Sequence, residues 1–177
     1  MANEAEGTVN VTLQSTAKSK EPVRFFGTFS AKVSTGTSQV TLPKQFKKAV
    51  EEGDEGHLML LPRPGIAYWQ LYTKKALNQL IEDTKVNSKY PEKSRKLAAD
   101  TMAKTSIPVE YDTQGRFVVG KEFAAKLKGE NNEVMFESGH THLKLWAMND
   151  YEAEQIRLKE LEQSEEMKNL MNAILDS

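Results

Sequence analysis

Val109-Glu110-Tyr111-Asp112-Thr113-Gln114-Gly115-Arg116-Phe117-Val118-Val119 sets a polar turn between two short apolar runs. Ile107 to Tyr111 reads as a strand and Asp112 to Gly115 as a turn, with glycine where a positive φ is cheap. Phe117 to Val119 reads as the returning strand. Immediately beyond, Lys121 to Leu127 reads as a short helix, because Phe123 and Leu127 fall on one face and Gly129 sits at the expected stop. Glu133 to Phe136 and His142 to Trp146 then make a second strand pair around the turn Glu137 to Thr141. The order of elements is β-β-α-β-β.

The same order occurs earlier in the chain. An ungapped offset of 77 residues sets Thr28 on Thr105, Lys44 on Lys121, Phe46 on Phe123 and Trp69 on Trp146. The apolar rhythm agrees between these anchors, with Leu42 over Val119, Val50 over Leu127 and Leu58 over Met135. Registering both tryptophans together with a shared phenylalanine marks a duplicated unit and suggests pseudo-two-fold symmetry. In the first copy the strands are Phe25 to Val33, Val40 to Leu42, Leu58 to Leu61 and Ala67 to Tyr72. Its helix is Lys44 to Val50, and its turns are Ser34 to Ser38 and Pro62 to Gly65.

Between the copies, Lys74 to Lys85 carries Leu77, Leu80 and Ile81 at helical spacing, and Pro91 opens a second helix running to about Lys104. From about Asp150 a tail helix collects Met167, Leu170, Met171, Ile174 and Leu175 on one face. That face packs either on its own barrel or on a neighbouring subunit. The expected organisation is a polar, disordered extension over 1–22, a first repeat over 23–73 and a helical linker over 74–104. A second repeat spans 105–149, and an acidic amphipathic helix spans 150–177.

Hydrophobic residues make up 38% and charged residues 28% of the 177, the balance of a soluble globular chain. No apolar run approaches the length of a membrane span, and no basic segment followed by an apolar one marks a secretory leader, so the expected location is the cytosol. The absence of cysteine excludes disulfides, thiolate metal sites and a cysteine nucleophile. The net charge of -1 hides an uneven distribution. Residues 22–50 contain no acid but include Arg24, Lys32, Lys44, Lys47 and Lys48, whereas residues 149–177 carry -5 and leave +4 for the rest. This pattern fits either an anionic partner on one face or a solvated mixed surface.

The segment from Val109 to Val119, with Asp112 and Arg116 in D-x-x-x-R spacing and its Gly115-Arg116 turn, resembles the signature of the MraZ family and the wider AbrB and SpoVT superfamily. Val40-Thr41-Leu42-Pro43-Lys44-Gln45-Phe46 is similar to that family's L-x-L-P-x-x-F stretch, and Trp146 falls where the family places the tryptophan of its closing strand. The resemblance covers about residues 25 to 155. It implies an α+β fold in which two tandem β-β-α-β-β units form a pseudo-two-fold, double-split swapped-hairpin β-barrel with linker helices and a C-terminal helix. It further implies a nucleoid-associated transcriptional regulator, not an enzyme, that needs no cofactor. Such regulators assemble as rings and bind repeated short sites in double-stranded DNA upstream of the division and cell wall gene cluster. Basic residues around the turn then form the DNA surface, with arginine suited to guanine and lysines to phosphates. The residues concerned are Arg116, Lys32, Lys44, Lys47, Lys48 and Lys121. Asp112, Gly115, Trp69 and Trp146 are the structural members of the motif.

The first copy departs from this pattern. Gln39 stands in the place of the arginine, and Thr35, or Ser34 if the turn is one residue longer, in that of the aspartate. It keeps Lys32, Lys47 and Lys48 where the second copy has Val109, Ala124 and Ala125. Asp112 and Arg116 are open to two readings, an ion pair bracing the turn or a DNA contact. His140 and His142, two residues apart, share a side of any strand containing both, but no third metal ligand accompanies them. His57 is isolated. No catalytic triad, phosphate loop or carboxylate pair is present. An oligomeric scaffold whose DNA surface has decayed is the competing reading, as is an antitoxin-like protein that binds both DNA and a protein partner through its acidic tail.

Overall fold

A computed structural model describes residues 24–54, 56–127 and 132–177. The expected N-terminal extension and Gly129 lie outside these residues. The first copy supplies β1 (Thr28–Lys32), β2 (Gln39–Thr41), α1 (Lys44–Asp54), β3 (Leu58–Leu61) and β4 (Tyr68–Thr73). Helices α2 (Lys74–Val86) and α3 (Glu92–Thr105) follow. The second copy supplies β5 (Ile107–Val109), β6 (Arg116–Val118), α4 (Lys121–Lys126), β7 (Glu133–Ser138) and β8 (His142–Ala147). The chain ends in α5 (Met148–Glu162) and α6 (Glu165–Leu175). The protein is α+β with antiparallel sheets.

The strands pair across the duplication. The six-stranded sheet runs β1-β7-β8-β4-β3-β5, and β2 and β6 form a separate two-stranded ribbon. β1 of the first copy lies on β7 of the second, and β5 of the second lies on β3 of the first. The two copies also meet at the β4–β8 and β2–β6 ladders. Exchanging the copies leaves this set of pairings unchanged, so the expected pseudo-two-fold relation holds in the connectivity.

The hydrogen bonding does not close a barrel. β1 and β5 end the larger sheet, because each opening strand crosses from the sheet to the ribbon and meets its sequence neighbour only at the turn. Ser34 N–H donates to Gln39 O at 2.8 Å, and Asp112 N–H to Arg116 O at 3.1 Å. Pro108 lies on the β5 edge, a position that suits a residue without an N–H to offer another strand.

The core lies between the inner face of the sheet and a lid made of the ribbon, α1 and α4. Leu58, Leu60, Trp69, Leu71, Val134, Phe136, Leu143 and Leu145 come from the sheet; Val40, Leu42, Phe117 and Val119 come from the ribbon. Phe46 and Val50 of α1 and Phe123 of α4, with Leu127 just beyond it, join them, and Phe25, Val33 and Ala147 complete the core. On the outer face, Leu61, Tyr72 and Leu77 cluster with the partly buried Leu80, Ile81 and Met102, so α2 and α3 cover the β3–β4 side.

The ungapped offset holds through the ribbon and its helices. Leu42 N–H donates to Gly115 O as Val119 N–H donates to Ser38 O. It fails in the closing hairpins, where Gln70 opposite Lys144 centres the β4–β8 ladder. Trp69 therefore corresponds to Leu143, and Trp146 to Tyr72. Trp69 lies in the core with its ring 5.4 Å from Phe123, edge-on. Trp146 is buried on the opposite face between Tyr68 and Tyr151, at 4.6 and 6.0 Å. Both tryptophans pack, but at non-equivalent sites.

The same correction shows that the repeat is longer than β-β-α-β-β. α2 begins directly after β4 and α5 directly after β8, both from extended N-caps, Thr73 and Ala147. The inward positions of α2, at Ala76, Leu77, Leu80, Ile81 and Thr84, fall on Asp150, Tyr151, Glu154, Gln155 and Leu158 of α5, which are all half-buried as their counterparts are, except that Leu77 is fully buried. The expected single tail helix is instead two helices, broken at Ser164, whose hydroxyl accepts from Met167 N–H at 3.3 Å and caps α6. In chain order α6 is the counterpart of α3.

Leu71 has no exposed surface. Leu71→Ala is expected to lower unfolding free energy by about 2–5 kcal/mol in urea titration. Residues 1–90 and 91–177, made separately, are expected to lack a cooperative transition and to recover strand circular dichroism on mixing. A cooperative transition in either fragment alone contradicts the exchanged pairing.

Candidate nucleic-acid interface

The turn of the second copy is held by its own aspartate. Asp112 Oδ1 accepts from Gln114 N–H at 2.9 Å and Arg116 N–H at 3.0 Å, while Oδ2 accepts from Arg116 Nε at 2.7 Å. The Arg116 backbone N–H, foremost, holds the carboxyl below its ordinary range, and the guanidinium adds to this. Only Nε of Arg116 is used; its terminal nitrogens make no hydrogen bond among the described residues. The ion pair and an outward-facing guanidinium edge therefore coexist.

Strand exchange carries this turn to the helix of the other copy. Thr41 pairs with Arg116, and β2 leads through Pro43 directly into α1. Gly115 has φ +82, and a Cβ there would lie 3.2 Å from Lys47 Cδ and 3.4 Å from Leu42 O. Glycine suits the positive φ of the turn, and any larger residue would also crowd the lysine stem lying across it. Thr41, Lys44, Lys47, Lys48, Glu51, Thr113 and Gln114 line a shallow groove of about 530 Å³. Lys47 pairs with Glu51 at 2.6 Å and Lys48 with Glu52 at 3.8 Å, whereas Lys44 has no ion pair among the described residues.

The symmetry-related groove is chemically different. It measures about 420 Å³ and is lined by Val33, Ser34, Thr35, Ser38, Lys121, Ala124, Ala125, Leu127 and Asn132. The matching turn bonds make Ser34, not Thr35, the counterpart of Asp112, and Gln39 the counterpart of Arg116. Of the six cations expected to meet DNA, Lys44, Lys47, Lys48 and Arg116 come together around the first groove. Lys121 lines the second groove, and Lys32, opposite Glu133 on β1, adjoins it in the chain. Sequence reasoning assigned cations to copies, whereas the structure divides them by groove. Thr41, Thr113 and Gln114 were not singled out, and only the polarity of the turn hinted at the last two.

The histidines do not form a site. His140 has φ +67 and precedes β8, with its ring edge-on to Phe26 at 5.9 Å. His142 stacks on Tyr72 at 4.9 Å and meets Gln70 Nε2 at 3.1 Å, while Gln70 Oε1 accepts from Arg63 at 3.0 Å. A Cβ on Gly139 would lie 2.5 Å from His142 Nε2, so this bend leaves room only for glycine. His57 is exposed just before β3. No group of three or more potential metal ligands occurs among the described residues.

No family model matches this chain, and no curated protein matches it significantly.

Burial, with Lys144 and Arg63 nearby, pushes the pKa of His142 from 6.5 down to about 4. The folded protein keeps the ring neutral while the unfolded chain protonates it near 6.5. This contribution to stability is therefore complete above about pH 6.5 and is lost as pH falls toward 4. Denaturant melts across that window are expected to show the loss, and His142→Gln to flatten it.

Proposed function

We propose that this chain is a DNA-binding transcriptional regulator of the MraZ type, with two AbrB-like halves related as in a double-split barrel. The observation that carries the reading is the exchanged β2–β6 ladder, which brings Lys44, Lys47 and Lys48 beside the Arg116 turn. In this reading the lysines meet phosphates, and the free guanidinium edge of Arg116 meets a base edge, the division of labour that separates affinity from specificity. Asp112 positions the arginine. The lining of the second groove carries one cation, Lys121, where the first carries three, so in this reading each chain offers one main DNA-contacting face and reads one short site.

A face with so few cations binds weakly alone. Assembly into a ring over repeated promoter sites raises the effective affinity without new contacts. The expected targets are the repeated sites of the division and cell wall gene cluster, and the expected location is the cytosolic nucleoid. No described helix is long and apolar enough to cross a membrane.

The ion pairs of Lys47, Lys48 and Arg116 favour a second reading, an oligomeric scaffold or antitoxin-like protein whose cations brace the fold. Titration on DNA from upstream of the protein's own gene, against scrambled DNA at two salt concentrations, separates the two. Preferential, salt-sensitive binding is expected. Lys44→Ala/Lys47→Ala/Lys48→Ala is expected to reduce the slope of log affinity on log salt by about 2 to 3, while Lys32→Ala/Lys121→Ala leaves it nearly unchanged. Binding and salt dependence unaffected by the triple substitution would sink the phosphate assignment, and equal, weak binding to both DNAs would leave the scaffold.

A further inference from the structure

We infer that α6 of one chain docks on the α2–α3 hairpin of a second copy, a head-to-tail contact that identifies the surfaces behind the assembly proposed above. The inference starts from a mismatch between the two halves. α3 folds back along α2, burying Ala99 and bringing Met102 to the cluster around Leu77. α6, its counterpart, buries no residue and α5 buries none either. Met167, Leu170, Met171, Ile174 and Leu175 fall at the spacing of one helical face, and the last four are 52%, 48%, 59% and 74% exposed. A helix with such a stripe is stabilised by covering it, and its own chain does not do so.

Charge identifies the cover. Residues 74–105 hold eight basic and four acidic residues, whereas residues 148–177 hold three basic and eight acidic. The hairpin is therefore +4 and the tail -5, while the remaining residues sum to zero. Within the hairpin, Lys89, Lys93 and Lys104 form no ion pair among the described residues, and neither do Glu160, Glu162, Glu166 and Asp176 in the tail. The hairpin also exposes apolar surface, with Val86 and Tyr90 at its tip and Leu97 on the same helical stripe as Lys93 and Lys104. Exposed aliphatic and aromatic side chains among lysines suit an acidic amphipathic helix better than a nucleic-acid backbone. The contact joins two different surfaces, so repetition yields a closed ring or an open filament.

The absence of cysteine makes the test direct. Leu97→Cys and Ile174→Cys replace exposed side chains and are mixed without DNA under mild oxidation. A covalent pair of one chain of each variant is expected, and the double variant is expected to give multiples of the chain, with light scattering of the unaltered protein above one chain mass. Lys93→Glu/Lys104→Glu should cut the cross-linked yield at least tenfold, and adding Glu162→Lys/Glu166→Lys should restore it. Closure of the double variant within one chain, preferential self-pairing of Ile174→Cys, or a single-chain mass without cross-links would overturn the inference. So would loss of DNA binding by the hairpin reversal with assembly intact, which assigns those lysines to nucleic acid. Because assembly is read without DNA, its failure leaves the DNA-binding reading standing, and failure of DNA binding leaves this contact standing.

Discussion

The backbone hydrogen bonds of β1 and β5 are satisfied only across the duplication, on β7 and β3. Neither half supplies a partner for its own opening strand, because the strand that follows crosses to the ribbon on the far side of the core. Both are edge strands without a fully buried residue, yet their ladders exist only between the copies, so the halves are bound to one another by the same pairing that makes each of them β-structured. The common core, with Phe46 and Phe123 in the lid and Leu71 and Leu145 beneath, exists only once this exchange is made.

The exchange also decides where charge collects. Helix α1 and the second turn belong to different copies, yet Gly115 lies under Lys47. Had each turn stayed with its own helix, Arg116 would face Ala124 and Ala125, and the three lysines would face Ser34 and Gln39. Divergence of the two copies thus leaves one groove basic and the other rich in hydroxyl and methyl groups.

Short-range physics made most elements legible. The apolar run from Leu58 to Leu61 marked β3, and Phe123 with Leu127 marked α4. The duplicated order was legible in matched anchors, and the ribbon obeys them. The closing strands do not, because identity drew Trp69 onto Trp146 while the sheet requires side chains to alternate between faces. One residue of extra turn between Ser34 and Gln39 was equally hidden, since serine and threonine fit either position. The kinship of α2 with α5 was invisible for a different reason: the positions correspond in burial, but Leu77 and Ile81 are matched by Tyr151 and Gln155. The grouping of cations by groove depends on long-range pairing, which no local pattern encodes.

Exchange has a further consequence in time. Thr28 must wait for Glu137 before β1 has a neighbour, so nearly the whole chain has to be synthesised before the first strand of the fold is paired. Contacts so distant along the chain slow folding. During that wait the β3–β4 hairpin stands with two open edges, until β5 covers the one offered by β3. Pro108 then serves the emerging molecule as well as the finished one, because the strand that completes this edge offers little template to a further strand.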